Sequence, residues 1–259
     1  MLETVYTDQS ELLQTIIQLY CPSGFDLDST YSTGGFYRDT GVTIPELRFD
    51  IAPRSSFVEQ ADCRELPLPS RSVRTAIFDP PFIHAAGKNS IMGKRFGSYP
   101  SQKLLMEMYY DALVEHRRVL IKKGILVFKC QDIIQSGKQE WNHVKIHAMA
   151  DRLGFNVLDN LILVMKNKIT GHNWKRQVHA HKTHCYFMVL RKGKRMDRDL
   201  LREQRLELRL SQEEVAALVG VSKQEISAWE LGGKNPTMKN LKQLAQVLHL
   251  STDMILKEE

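Results

Sequence analysis

The run Val73–Phe78 is mostly apolar and ends on Asp79-Pro80-Pro81-Phe82, the stretch that most constrains what this chain can fold into. Proline has no amide hydrogen for a sheet ladder and holds φ at about −65°. Two prolines in a row therefore stop a buried strand and set the directions of the Asp79 carboxylate and the neighbouring carbonyls. Such a rigid polar rim suits an exocyclic amino group. Its two hydrogens need acceptors as the nitrogen attacks an electrophile, and the ring of Phe82 can stack on the ring that carries the amine.

The chain upstream repeats one pattern, a short strand closed by an acid. Residues 8–20 first form a helix with Leu12, Leu13, Ile16, Ile17 and Tyr20 on one face and Asp8 or Ser10 able to cap its start. Residues 25–28 then read as a strand ending on Asp28, followed by a small-residue loop, 29–37, that contains Gly34 and Gly35. In a doubly wound sheet the loop after the first strand lies at the switch point, where backbone amides meet nucleotide-like ligands. The next strand ends on Asp50, 22 residues after Asp28, and an acid at about that interval typically binds ribose hydroxyls. A third short strand, 57–62, leads into Asp62-Cys63.

On these residues, Asp79-Pro80-Pro81-Phe82 resembles the [Asp/Asn/Ser]-Pro-Pro-[Tyr/Phe] motif of the S-adenosylmethionine-dependent amino-methyltransferases of DNA. The resemblance implies an α/β fold with a Rossmann-like methyltransferase sheet, S-adenosylmethionine as cofactor, and a catalytic set of Asp79, Pro80, Pro81 and Phe82. Asp28 and Gly34 match the Asp and the last Gly of the family's Asp-Pro-Phe-x-Gly-Ser-Gly cofactor loop, and Thr30 lies with them in the implied cofactor site, although Ser29, Thr30 and Ser32 depart from the motif's pattern. Asp50 takes the ribose position, and Asp62 with Cys63 takes the position that meets the adenine amino group. Asp in the first motif position favours adenine N6 as the target over cytosine N4. An RNA substrate, or a helix-turn-helix regulator with a degenerate methyltransferase domain, remains as an alternative.

Downstream, residues 83–100 form a long loop rich in Gly, Ser and Lys, from which Lys88, Lys94 and Arg95 could clamp phosphates. Residues 101–121 form an amphipathic helix closed by Lys122-Lys123-Gly124, and residues 125–130 a buried strand. A helix over 139–153 closes at Gly154, and strands follow over 155–165 and 183–190; the methyltransferase resemblance implies that these two form an antiparallel hairpin with 166–182 as its loop. No acid occurs between Asp159 and Asp197, whereas nine Lys and Arg do, Lys175 and Arg176 among them. A run with one sign missing favours a polyanion partner. His179, His181 and His184 lack a carboxylate or cysteine companion and suit phosphate contact, so no metal is expected.

Residues 193–197 read as a polar linker between a domain at 1–192 and a small all-α domain at 198–259. In the second, Ser211 with Glu214 and Ser222 with Glu225 form capping boxes that open two short helices on either side of Val219-Gly220-Val221. The run from Leu210 to Gly232 resembles phage Cro/repressor-type helix-turn-helix domains. The resemblance implies that Lys223, Gln224 and Ser227 face base edges in double-stranded DNA and that Gln212 touches a phosphate. Such domains pair on two-fold sites, which allows a homodimer. Residues 196–259 carry nine Lys/Arg against eleven Asp/Glu, leaving 27 against 19 in residues 1–195, so the chain's basic surplus lies in the larger domain. With no run of about 20 apolar residues and no signal-like N-terminus, a cytoplasmic protein without a membrane partner is expected. Cys21, Cys63, Cys130 and Cys185 are too scattered for a redox pair and read as reduced core residues.

Overall fold

The computed structural model describes residues 2–83, 99–135, 137–165 and 179–257. The segments bearing Lys88, Lys94, Arg95, Lys175 and Arg176 lie outside the described residues. The chain divides into two compact units, Met1–Met149 with Asn156–Lys192, and Ala150–Phe155 with Gly193–Glu259.

The first unit opens with β1 (Val5–Tyr6) and α1 (Gln9–Tyr20). The Asp8 side chain caps α1 by accepting from the amides of Ser10 and Glu11, and Leu12, Leu13 and Ile16 are buried. Strands β2 (Leu27–Asp28), β3 (Leu47–Asp50), β4 (Glu59–Gln60) and β5 (Val73–Phe78) follow. After α2 (Gln102–Val119) come β6 (Leu120–Cys130), β7 (Ile133–Gln135), β8 (Lys138–Glu140), α3 (Asn142–Arg152), β9 (Phe155–Val164) and β10 (His184–Lys192), the end of α3 and Phe155 falling in the second unit.

Eight strands form one mixed sheet in the order β1-β9-β10-β6-β5-β2-β3-β4. From β2 the chain moves outward through β3 and β4, then returns to the other side of β2 with β5, each neighbouring pair being parallel. The order thus reverses between β2 and β5, the switch point of a Rossmann-like sheet. Because β6 is also parallel to β5, the carboxyl ends of β2, β3, β5 and β6 share one edge. Strand β10 is antiparallel to β6 with Tyr186 opposite Cys130, so its first residues return to that same edge. Beneath the sheet, the apolar face of α1 packs with Ile77, Val127 and Phe187 in one core. Cys21, Cys130 and Cys185 are buried in this unit, Cys63 is half-buried, and all four are free thiols.

The structure corrects the sequence reading in three places here. Helix α2 ends at Val119, and Lys122-Lys123-Gly124 lies inside β6 instead of terminating a helix. The β5–β6 register slips from Val73 opposite Leu120 to Thr75 opposite Ile125, and Lys123 takes a φ of 61°. A bulge absorbs the extra residues, with Gly124 at its tightest point: a Cβ there would lie 2.9 Å from the Ile121 carbonyl. Second, residues 138–140 pair with β7 as a ribbon, and α3 begins only at Asn142. Third, residues 193–197 are not a bare linker, because β11 (Arg195–Met196) pairs with a strand at the chain's far end.

That pairing closes the second unit. It holds α4 (Arg198–Glu207), α5 (Gln212–Val219), α6 (Lys223–Leu231), α7 (Met238–Val247), α8 (Thr252–Ile255) and β12 (Leu256–Lys257). It is therefore helical apart from one two-stranded ribbon. Both capping boxes form, and Gly220, in the left-handed region at φ 76°, turns the chain from α5 into α6. Leu201, Val215, Ala216, Ile226, Trp229 and Leu241 are buried in its own core, together with Met196. Among the described residues no helix is long and apolar enough to cross a membrane.

Candidate active site at the carboxyl edge of the sheet

Asp28, the last residue of β2, is 1% exposed. One carboxylate oxygen accepts from the Thr30 amide at 2.8 Å, and the other from the Tyr37 hydroxyl at 2.9 Å. Burial pushes its carboxyl up to about 7 against the pull of these two donors, and the nearby charge of Asp79 adds to the rise. Thr30 faces both ways, since its hydroxyl oxygen accepts from the Asp79 amide at 2.9 Å. The loop after β2 is thereby stitched to the residue after β5, across the switch point.

Two further contacts shape that loop. Ser29 Oγ lies 2.9 Å from Nε2 of His116, whose Nδ1 lies 2.7 Å from the Ala112 carbonyl. A carbonyl only accepts, so Nδ1 carries the proton and the Ser29 hydroxyl donates to Nε2. Burial lowers the His116 pKa to about 4, and the ring stays neutral. Gly34 sits at φ 70°, where a Cβ would fall 2.5 Å from the Tyr31 hydroxyl, so only glycine fits.

Asp50 closes β3 half-buried, accepting at 2.8 Å from the Ser32 amide on one oxygen and at 2.8 Å from the Ala52 amide on the other. Each oxygen keeps a lone pair for a further donor, which fits a hydroxyl-bearing ligand. Asp62 differs. Its two oxygens take the Arg64 amide and the Arg64 guanidinium in contacts of 2.6–3.1 Å, and the Arg64 side chain holds its pKa below the usual carboxylate range. The acid expected to meet an adenine amine is thus already engaged. Burial raises the neighbouring Cys63 thiol to about 12, so it is protonated and unreactive near neutral pH.

At the centre, Asp79 and Phe82 are half-buried and Pro80 is buried. The Pro81 carbonyl accepts from the buried Tyr109 hydroxyl at 2.6 Å, which anchors the motif to α2. Among the described residues no donor meets the Pro80 carbonyl. Asp79 Oδ2 accepts from Lys129 Nζ at 3.1 Å. Sequence reading missed Tyr37, Tyr109 and Lys129. Only Lys129 carries a signal: a lysine near the end of an otherwise apolar strand needs an acid beside it.

In the second unit Lys223 and Gln224 are exposed and Ser227 half-buried at the start of α6. Lys223 is ion-paired with Glu213. Gln212, expected to touch a phosphate, donates its side-chain amide to Glu230 at 2.8 Å. Glu230 is in turn held by the guanidinium of Arg205.

The helix-turn-helix family model matches residues 201–255, so this part of the second unit is a helix-turn-helix domain. No curated protein matches the chain. Among solved structures, the P22 c2 repressor in complex with a synthetic operator is 32% identical over 25% of this chain and 98% of that one, with a TM-score of 0.24. A Thermus thermophilus protein classed as a DNA modification methylase, complexed with S-adenosyl-L-methionine, is 22% identical over 61% of this chain and 64% of that one, with a TM-score of 0.37. The chain thus spans under two thirds of that protein's length. An S-adenosylmethionine-dependent methyltransferase from Thermotoga maritima is 15% identical over 70% and 87%, with a TM-score of 0.41.

Proposed function

We propose that the first unit transfers a methyl group from S-adenosylmethionine to the exocyclic amine of a base in DNA, adenine N6 before cytosine N4, and that the helix-turn-helix domain reads the duplex. The observation that carries this reading is the exit of Asp79-Pro80-Pro81-Phe82 from β5 at the switch point, with the Asp79 amide bonded to the loop that follows β2. The loop from Asp28 to Gly34 and the carboxylate of Asp50 would hold the methyl donor, whereas Asp62 takes part only after releasing Arg64. When bound, S-adenosylmethionine supplies an electrophilic methyl on sulfur.

The chain's own groups present the amine. A base swung out of the duplex, at a cost of about a few kcal/mol, stacks on Phe82. Asp79 Oδ1 and the Pro80 carbonyl accept its two hydrogens and turn the nitrogen lone pair away from them. The same acceptors stabilise the positive charge that builds on nitrogen as its bond to the methyl carbon forms and the methyl–sulfur bond breaks, and one of the two hydrogens then leaves the nitrogen as a proton to solvent. Tyr109 holds the Pro81 carbonyl out of this exchange. Tritiated S-adenosylmethionine and duplex DNA test the reading: label enters DNA with the wild-type protein and not with Asp79→Ala, while the variant still binds S-adenosylmethionine by calorimetry. Equal labelling by both would sink it.

A regulator that binds DNA without transferring methyl groups is the second reading, favoured by the occupation of Asp62 by Arg64. It predicts no heat on titration of the wild-type protein with S-adenosylmethionine.

A further inference from the structure

Lys129 stands one residue from the carboxyl end of β6, directly after the buried Ile125, Leu126, Val127 and Phe128. Its side chain is 16% exposed and lies 3.1 Å from an Asp79 carboxylate that is 25% exposed. The ammonium also sits 5.2 Å from the centre of the Phe36 ring and 5.5 Å from that of Phe187. Phe187 faces Lys129 in register on β10. Phe36 comes from the loop after β2, its carbonyl held by the Gln9 side chain at 2.7 Å. Two aromatic faces and one carboxylate therefore surround a cation largely removed from water, an arrangement that fixes where the ammonium can be.

An aspartate carboxylate, carried on two rotatable bonds, would otherwise turn at the mouth of the site. With Oδ2 tied to Lys129, its plane is set and Oδ1 is left for a ligand. We propose that Lys129 is a positioning residue for amino-group methylation. It pins Asp79 so that Oδ1 and the Pro80 carbonyl together receive the two hydrogens of the incoming amine. Because Phe36 belongs to the loop after β2, the same lysine ties the orientation of Asp79 to that loop. This inference rests on the methyltransferase reading of the first unit.

Steady-state kinetics of Lys129→Met and Lys129→Arg on the full chain, with tritiated S-adenosylmethionine and duplex DNA, test it. Lys129→Met is expected to lower kcat by about 10- to 100-fold, the scale of a small misplacement of a reacting group, with DNA KM and S-adenosylmethionine affinity nearly unchanged. Lys129→Arg, which keeps a cation against the carboxylate, restores most of kcat. In an Asp79→Asn background, Lys129→Met adds no further loss. A Met variant with wild-type kcat overturns the positioning role and leaves the methyltransferase reading standing. So does one whose kcat falls only together with cofactor affinity and melting temperature, as a merely structural lysine would give. Should the Met variant not fold, Lys129→Gln is read the same way. A wild-type protein that transfers no methyl group overturns the parent reading, and the role of Lys129 with it.

Discussion

Asp28 and His116 are both buried beside Ser29, and burial moves them in opposite directions. Asp28 is raised to about 7, so from about pH 4 upward the native chain keeps a proton that the unfolded chain has lost, and this group's contribution to stability falls as pH rises to about 7. His116 is lowered to about 4, so between about pH 4 and 6.5 the unfolded chain binds a proton that the native ring refuses, and this contribution rises with pH. Replacing His116 by Phe removes the second term alone. The stability of wild type relative to His116→Phe is predicted to climb by about 1.4 kcal/mol per pH unit from about pH 4.5 to 6 and to level off above about 6.5. Urea unfolding of the first unit across that range checks it, and a flat difference would show that the ring titrates normally. Gly34 gives a second prediction at this scale. Gly34→Ala forces a Cβ to within 2.5 Å of the Tyr31 hydroxyl at a φ of 70°, a strain of at least about 1–2 kcal/mol. Calorimetry should find S-adenosylmethionine affinity reduced at least about tenfold, because the loop must shift.

Among elements, the strands closed by acids were legible where a local apolar run meets a local stop, since β2 ends on Asp28, β3 on Asp50 and β5 just before Asp79, whereas the strand expected over 57–62 is only β4, which stops at Gln60 short of Asp62. The α2–β6 junction was not legible. Lys122-Lys123-Gly124 is a good helix ending in isolation, and what overrides it is pairing of β6 with β5, a contact between strands separated by a whole helix. The ribbon β7–β8 was missed because Lys138-Gln139-Glu140 has no apolar alternation. The Lys129–Asp79 pair lay beyond sequence reading for the same reason as the junction, since only sheet order makes the two residues neighbours. In the second unit the capping boxes were readable over three residues, but the tie of Arg205 to Glu230, both nearly inaccessible, spans two helices. That pair carries a prediction. Arg205→Met leaves Glu230 buried without its cation, and urea unfolding of the helix-turn-helix unit should show a loss of about 3–5 kcal/mol. A loss below about 1 kcal/mol would mean that Gln212 alone satisfies the carboxylate.

For the whole molecule, charge and reading surface are divided between the two units. Residues 196–259, with nine Lys/Arg against eleven Asp/Glu, cannot rely on non-specific attraction to phosphates, whereas residues 1–195 carry the basic surplus. Sequence preference and salt-dependent affinity should therefore separate by mutation. Gln224→Ala, at the exposed start of α6, is predicted to weaken binding to the preferred duplex by about 1–3 kcal/mol and to leave non-specific binding and its salt slope unchanged, as filter binding at several salt concentrations would report. Equal weakening on all sequences would place this side chain on the backbone instead. The central claim, that Asp79 presents a DNA amine for methylation, is tested most directly by mass spectrometry of nucleosides from the DNA of cells expressing the wild-type chain or Asp79→Ala. The account predicts N6-methyladenine in excess of the host background with wild type and its loss in the variant. No new methylated base with wild type, or the same level with Asp79→Ala, would contradict it.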